Sequence, residues 1–146
     1  MLHAIRILRE RGKLHLLKGI IIPESAISLT TMAQAGITVK DFDTIPYLHM
    51  NGDYRPAGTR VGNREMLAAI NASPTRDVGP ATYVDLDDPS FGGRFLGTTH
   101  MQMVGTTSEK VFNYALQWAD KNIRNPMLKS SCNDDRDHDD DDDHHH

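Results

Sequence analysis

The chain predicts an α+β domain: a small, largely antiparallel sheet packed by about three helices, followed by an acidic tail. Three observations lead there. Residues 94–104 alternate in the manner of a strand, and residues 106–125 follow with helical periodicity. A second alternating run, Ala81–Leu86, lies just upstream across the turn-forming stretch Asp87-Asp88-Pro89-Ser90 and Gly92-Gly93, so the two runs read as an antiparallel pair. After Ile123 the apolar periodicity stops. The organisation expected is a single domain over residues 1–128 with a basic N-terminal segment, and a disordered Asp/His-rich tail over 129–146.

In the strand at 94–104, Phe95, Gly97, Thr99, Met101 and Met103 share one face, while Leu96, Thr98, His100, Gln102 and Val104 share the other. Thr106 and Glu109 have the spacing of a capping box. The helix that follows places Val111, Phe112, Tyr114, Ala115, Leu116, Trp118, Ala119 and Ile123 on one broad arc. All of that arc is expected to be buried. Asn125-Pro126 ends the helix.

Upstream, residues 1–11 read as a helix stopped by Gly12, and β-branched residues close the run that ends at Ile22. Pro23-Glu24 reads as the start of a second helix running to Ala35, with Gly36 as terminator. Ile37–Val39 is a strand candidate. Pro46 demotes the apolar run Ile45–Met50 to an edge strand or an ordered loop. Residues 55–62 read as a basic loop, and Asn63 as the cap of a short helix over Arg64–Ala72.

The formal charge of −4 hides an asymmetry. Residues 132–146 hold eight Asp against one Arg, and residues 1–18 hold five basic side chains against Glu10. A basic start and an acidic end favour contact with a protein partner or with a second copy. Nucleic acid or membrane contact through residues 1–18 is a less favoured reading, because aromatic and basic residues do not interleave along the chain. The single Cys132 forms no internal disulfide and suits a reducing, intracellular setting. No apolar run approaches the ~20 residues that span a bilayer.

Chemistry-bearing residues are few. His100, mid-strand between Thr98 and Gln102, is the candidate acid or base, with Asp85 or Asp87 as its carboxylate partner. Arg60, Asn63 and Arg64 are candidates for holding an anion at a helix start. His138, His144, His145 and His146 sit among aspartates, where a flexible tail binds metals only weakly. None of the common catalytic or cofactor motifs is present. The leading expectation is therefore a non-enzymatic binding or assembly protein, possibly a subunit of a larger complex. The alternative is a small enzyme acting on an anionic substrate, with His100 on an open sheet face. The sequence leaves the cofactor unknown.

Overall fold

The computed structural model describes residues 1–52, 56–91, 93, 95 and 107–124. Its sheet has three strands, β1 (Ile20–Ile22), β2 (Tyr47–Asn51) and β3 (Thr82–Asp85), in the order β1-β2-β3. Both pairings are parallel: Ile20 lies against Tyr47, and Leu48 against Thr82. This overturns the expected antiparallel sheet. The physical reason lies in the connections. Parallel neighbours require long crossovers, and here they carry helices α2 (Leu29–Gln34) and α3 (Ala57–Asn71). The whole arrangement is mixed α/β, with α1 (Leu2–Glu10) ahead of the sheet and α4 (Ser108–Ala119) after it. The antiparallel partner assigned to β3, residues 94–104, falls almost entirely outside the described residues.

Side-chain alternation divides the core into two layers. Ile20, Tyr47 and Tyr83 face one side, where they join Ile5 of α1, Met32 of α2 and Met66, Leu67 and Ile70 of α3. Ile21, Leu48, Met50 and Val84 face the other, where they meet Val111, Ala115 and Trp118 of α4. All five β2 residues are buried. Pro46 thus does not mark an edge: it precedes the first paired residue, so its missing N–H costs the ladder nothing, and its carbonyl accepts from Ile20 N–H at 2.9 Å.

Other element boundaries also move. The second helix begins at Leu29 rather than Pro23, because Ser28 caps it: its Oγ accepts from Thr31 N–H while Thr31 Oγ1 accepts from Ser28 N–H. Residues 39–42, partly read as strand, form a 3-10 turn with Asp41 closing on the Thr38 N–H and on Arg9. The segment read as a loop before Asn63 is already the first turns of α3. Gly12 and Gly36 do end α1 and α2, both with positive φ. α4 passes directly into a π-helical turn over Asp120–Arg124.

At the amino ends of the strands, Asp43 and Arg76 tie two crossovers together. Arg76 Nη1 donates to Phe42 O at 2.6 Å and Nη2 to Gly79 O at 2.6 Å. Thr75 Oγ1 donates to the Asp43 carboxylate. Burial alone pushes the Asp43 carboxyl up, but the hydroxyls of Thr75 and Ser73 and the charges of Arg76 and Lys40 outweigh it and hold it below its ordinary 3.8. A depressed carboxyl stabilises the fold above its unfolded pKa and loses that contribution as pH falls through the folded value. Asp43→Asn is therefore expected to lower stability at neutral pH, with the gap to wild type closing below pH about 4. Urea melts of both proteins across pH 2–8 check this; a gap that stays constant with pH contradicts it.

Candidate functional site

The carboxyl ends of parallel strands are where open α/β sheets hold ligands. Here that edge has two sides, one polar and one apolar.

On the α3 side, alternation aims Tyr47, His49 and Asn51 the same way, and each is fully buried. Such groups must be hydrogen-bonded within the protein. Asn63, buried on α3, does most of this. Its Oδ1 accepts from Ile27 N–H at 3.0 Å, which fixes the amide orientation. Its Nδ2 then donates to Ser25 O at 2.9 Å and lies 3.0 Å from His49 Nε2. His49 Nε2 also lies 3.2 Å from Ser25 O, and His49 Nδ1 lies 3.3 Å from the Tyr47 hydroxyl. Burial holds the Tyr47 hydroxyl in its protonated form by pushing its pKa up. Tyr83 stacks on His49 with ring centroids 5.9 Å apart.

Nearer the surface the network turns ionic. Tyr83 donates to Asp85 Oδ1 at 2.8 Å and accepts from Asn51 Nδ2 at 2.6 Å. Burial, followed by the bond to Asp85, pushes the Tyr83 hydroxyl up to about 12. Arg64 pairs with Asp85 and places its guanidinium over the Tyr83 ring, 5.3 Å from its centre. Arg60 Nη1 donates to both Asp87 oxygens, at 2.8 and 2.9 Å, and Nη2 to Gly52 O at 2.9 Å. The bond to Asp87 raises the Arg60 pKa further, against the opposing effect of burial. One residue at this edge has an unusual backbone. Glu24, just beyond β1, has φ of 116°, a region that L-residues rarely enter, and both its carboxylate oxygens are shielded from solvent.

On the α4 side the edge is apolar. A mostly apolar groove of about 540 Å3 runs between Ile21, Pro23 and Met50 on the sheet side and Val111, Phe112, Ala115 and Leu116 on α4, with Ser108 and Glu109 also lining it. Phe112 is 60% exposed and Leu116 46%. The helical periodicity placed both on the buried arc; the structure buries Val111, Ala115 and Trp118 and leaves these two outside. One helix, about 10 Å across, covers β2 and β3 and, among the described residues, leaves Ile21 of β1 half-buried at the groove.

The sequence-derived candidates scatter. Arg60, Arg64, Asp85 and Asp87 do converge, but as ion pairs with one another, so the two guanidiniums are engaged by carboxylates. Asn63 does not cap a helix; it lies inside α3 as the buried hub. His100 and the tail residues His138, His144, His145 and His146 lie outside the described residues. Among the described residues, no group of three or more His, Cys, Asp or Glu is placed to hold a metal ion. His49, Asn51, Tyr47 and Glu24 were not singled out as site residues. The available signal was parity: Tyr47, His49 and Asn51 alternate with Leu48 and Met50, a strand with one polar face pointing at α3. No family model matches the chain, and comparison with curated proteins and with solved structures gave no match.

Two outcomes are expected of this site. Asn63→Ala strands the buried Ile27 N–H and removes the amide from Ser25 O and His49 Nε2; it is expected to cost about 2 kcal/mol, read as a lower midpoint in urea. At position 24, Gly and Ala lack the carboxylate alike and differ only in backbone preference. Glu24→Gly is expected to be more stable than Glu24→Ala by about 1 kcal/mol or more; equal midpoints would show that the backbone there stores no strain.

Proposed function

We propose that this chain is a non-enzymatic binding or assembly subunit, and that the groove beside α4 receives an apolar segment of a protein partner. One observation carries the reading: among the described residues, the apolar arc of α4 is wider than the surface that covers it. Phe112 and Leu116, one helical turn apart, stand exposed on the rim of an apolar groove. Paired large side chains beside such a groove are the surface form that protein contacts use. Burying either side chain fully is worth about 1.5–3 kcal/mol, and the partner's contact supplies that gain. The polar side of the same edge supports the reading from another direction. Its guanidiniums and carboxylates are paired, and Tyr47, His49, Asn51 and Asn63 are enclosed, so this network braces the edge of the groove.

A photoreactive phenylalanine analogue at position 112, introduced in the cell of origin, tests this. It is expected to cross-link a discrete protein species, while the same analogue at the exposed polar position Gln117 gives a clearly weaker product. Equal labelling from both positions, or none from either, overturns the reading.

The second reading is an enzyme acting on an anionic substrate. It draws on the position of Asp85 and of the strained Glu24 at the carboxyl edge of the sheet, and on His100 as acid or base. Titration with inorganic phosphate, followed through the ring signals of His100, bears on it. No change at about 10 mM, a concentration at which even weak ligands occupy their sites, removes it.

A further inference from the structure

We propose that the occupant of the α4 groove is the outer face of α1 from a second copy of the same chain, so that copies associate head to tail. The proposal rests on the assembly reading above and gives that reading its partner.

Charge complementarity carries it. At about 100° per residue, Glu109 and Asp120 fall on the solvent flank of the Phe112–Leu116 stripe, and both are exposed. Lys110 and Lys121 fall on the far side of the helix. The stripe therefore has an acidic rim, on which Asp120 is engaged only by an exposed contact of 3.6 Å with Arg124.

The outer face of α1 is its counterpart. His3, Ile7 and Arg11 recur at four-residue spacing, so they stand one above another, and all three are exposed; Ile7 is 43% exposed. Arg9 is turned to Asp41 at 2.8 Å, and Arg6 lies 3.7 Å from Glu10. Among the described residues Arg11 and the neighbouring Lys13 take part in no ion pair. An apolar centre flanked mainly by cations, with Glu10 beside Arg6, thus matches an apolar centre flanked mainly by acids, with Arg124 beside Asp120.

The two surfaces cannot meet within one copy. α1 packs through Ile5 into the layer on one side of the sheet, and α4 packs through Val111 and Trp118 into the other. The contact joins unlike surfaces, so it propagates into rings or open chains unless one surface is blocked. Rim charges of this kind are screened by salt, and they set orientation and encounter rate more than affinity.

The test is light scattering and sedimentation of the full chain over a concentration series. The mass is expected to rise with concentration, and association to weaken about tenfold between ionic strengths of about 0.05 and about 0.5 M. Two variants decide the geometry. Phe112→Ser with Leu116→Ser blocks the α4 surface; Ile7→Glu with Arg11→Glu blocks the α1 surface. All four residues are exposed, and circular dichroism confirms that each variant is folded. Each variant alone is expected to be monomeric, and an equimolar mixture to form a one-to-one pair, because one intact α4 groove then meets one intact α1. Self-association of the α1 variant alone would mean like-to-like α4 pairing and overturns the proposal, as does a mixture that stays monomeric. Wild-type protein that is monomeric up to about 0.5 mM, while position 112 still cross-links a different protein, also overturns it and leaves the assembly reading standing. Absence of both self-association and cross-linking removes the two together.

Discussion

The carboxamide of Asn63 touches three separate parts of the chain at once. It accepts from Ile27 N–H and donates to Ser25 O, which pins the loop leaving β1. It also faces His49 Nε2 on β2 from its own position on α3. No apolar side chain could make these bonds, and the buried Ile27 N–H has its partner in this carboxamide. The turn after β1, the end of β2 and the first half of α3 therefore have a fixed relative position. The tilt of α3 sets where Arg60 and Arg64 emerge, and with them the ion pairs that hold Asp85 and Asp87 at the end of β3. The groove inherits the same order, since its sheet wall is made of Ile21, Pro23 and Met50, neighbours of the residues the amide holds.

The two sides of the strand ends divide the work. The polar side spends nearly every hydrogen-bonding group on the protein itself, which makes it a brace. The apolar side leaves surface uncovered, which makes it the place where binding energy is available. Glu24, just beyond β1, keeps a positive φ of 116°.

Much of the local structure was legible from residue order. Gly12 and Gly36 end helices, residues 81–86 contain a strand, and α4 follows its periodicity. The sheet's direction was not, because pairing depends on partners far apart in the chain: Ile20 meets Tyr47, and Leu48 meets Thr82. Nearness in sequence suggested a hairpin where crossovers were needed. Pro46 misled for a different reason, since a proline one place ahead of a central strand looks the same in sequence as one at an edge. At the site, residue type was visible but depth was not. Arg60 and Arg64 look alike as free cations or as partners of Asp87 and Asp85, and only packing tells them apart. Phe112 and Leu116 erred the other way: periodicity identifies a face that seeks burial, and whether this chain supplies the cover is a property of the whole fold.

The parallel crossovers also bear on how the chain reaches this state. β2 is the centre of the sheet, yet none of its pairing partners lies near it in the chain, and each pairing requires its own long crossover to close. Folding governed by such distant contacts is slow, in the range of about milliseconds to seconds. Until it is complete, Ile20-Ile21-Ile22 is a short, uncharged, β-branched run with nothing beside it. The first eighteen residues, with their five basic side chains, immediately precede that run, and flanking charge of this kind keeps exposed strands from pairing with one another before the fold encloses them.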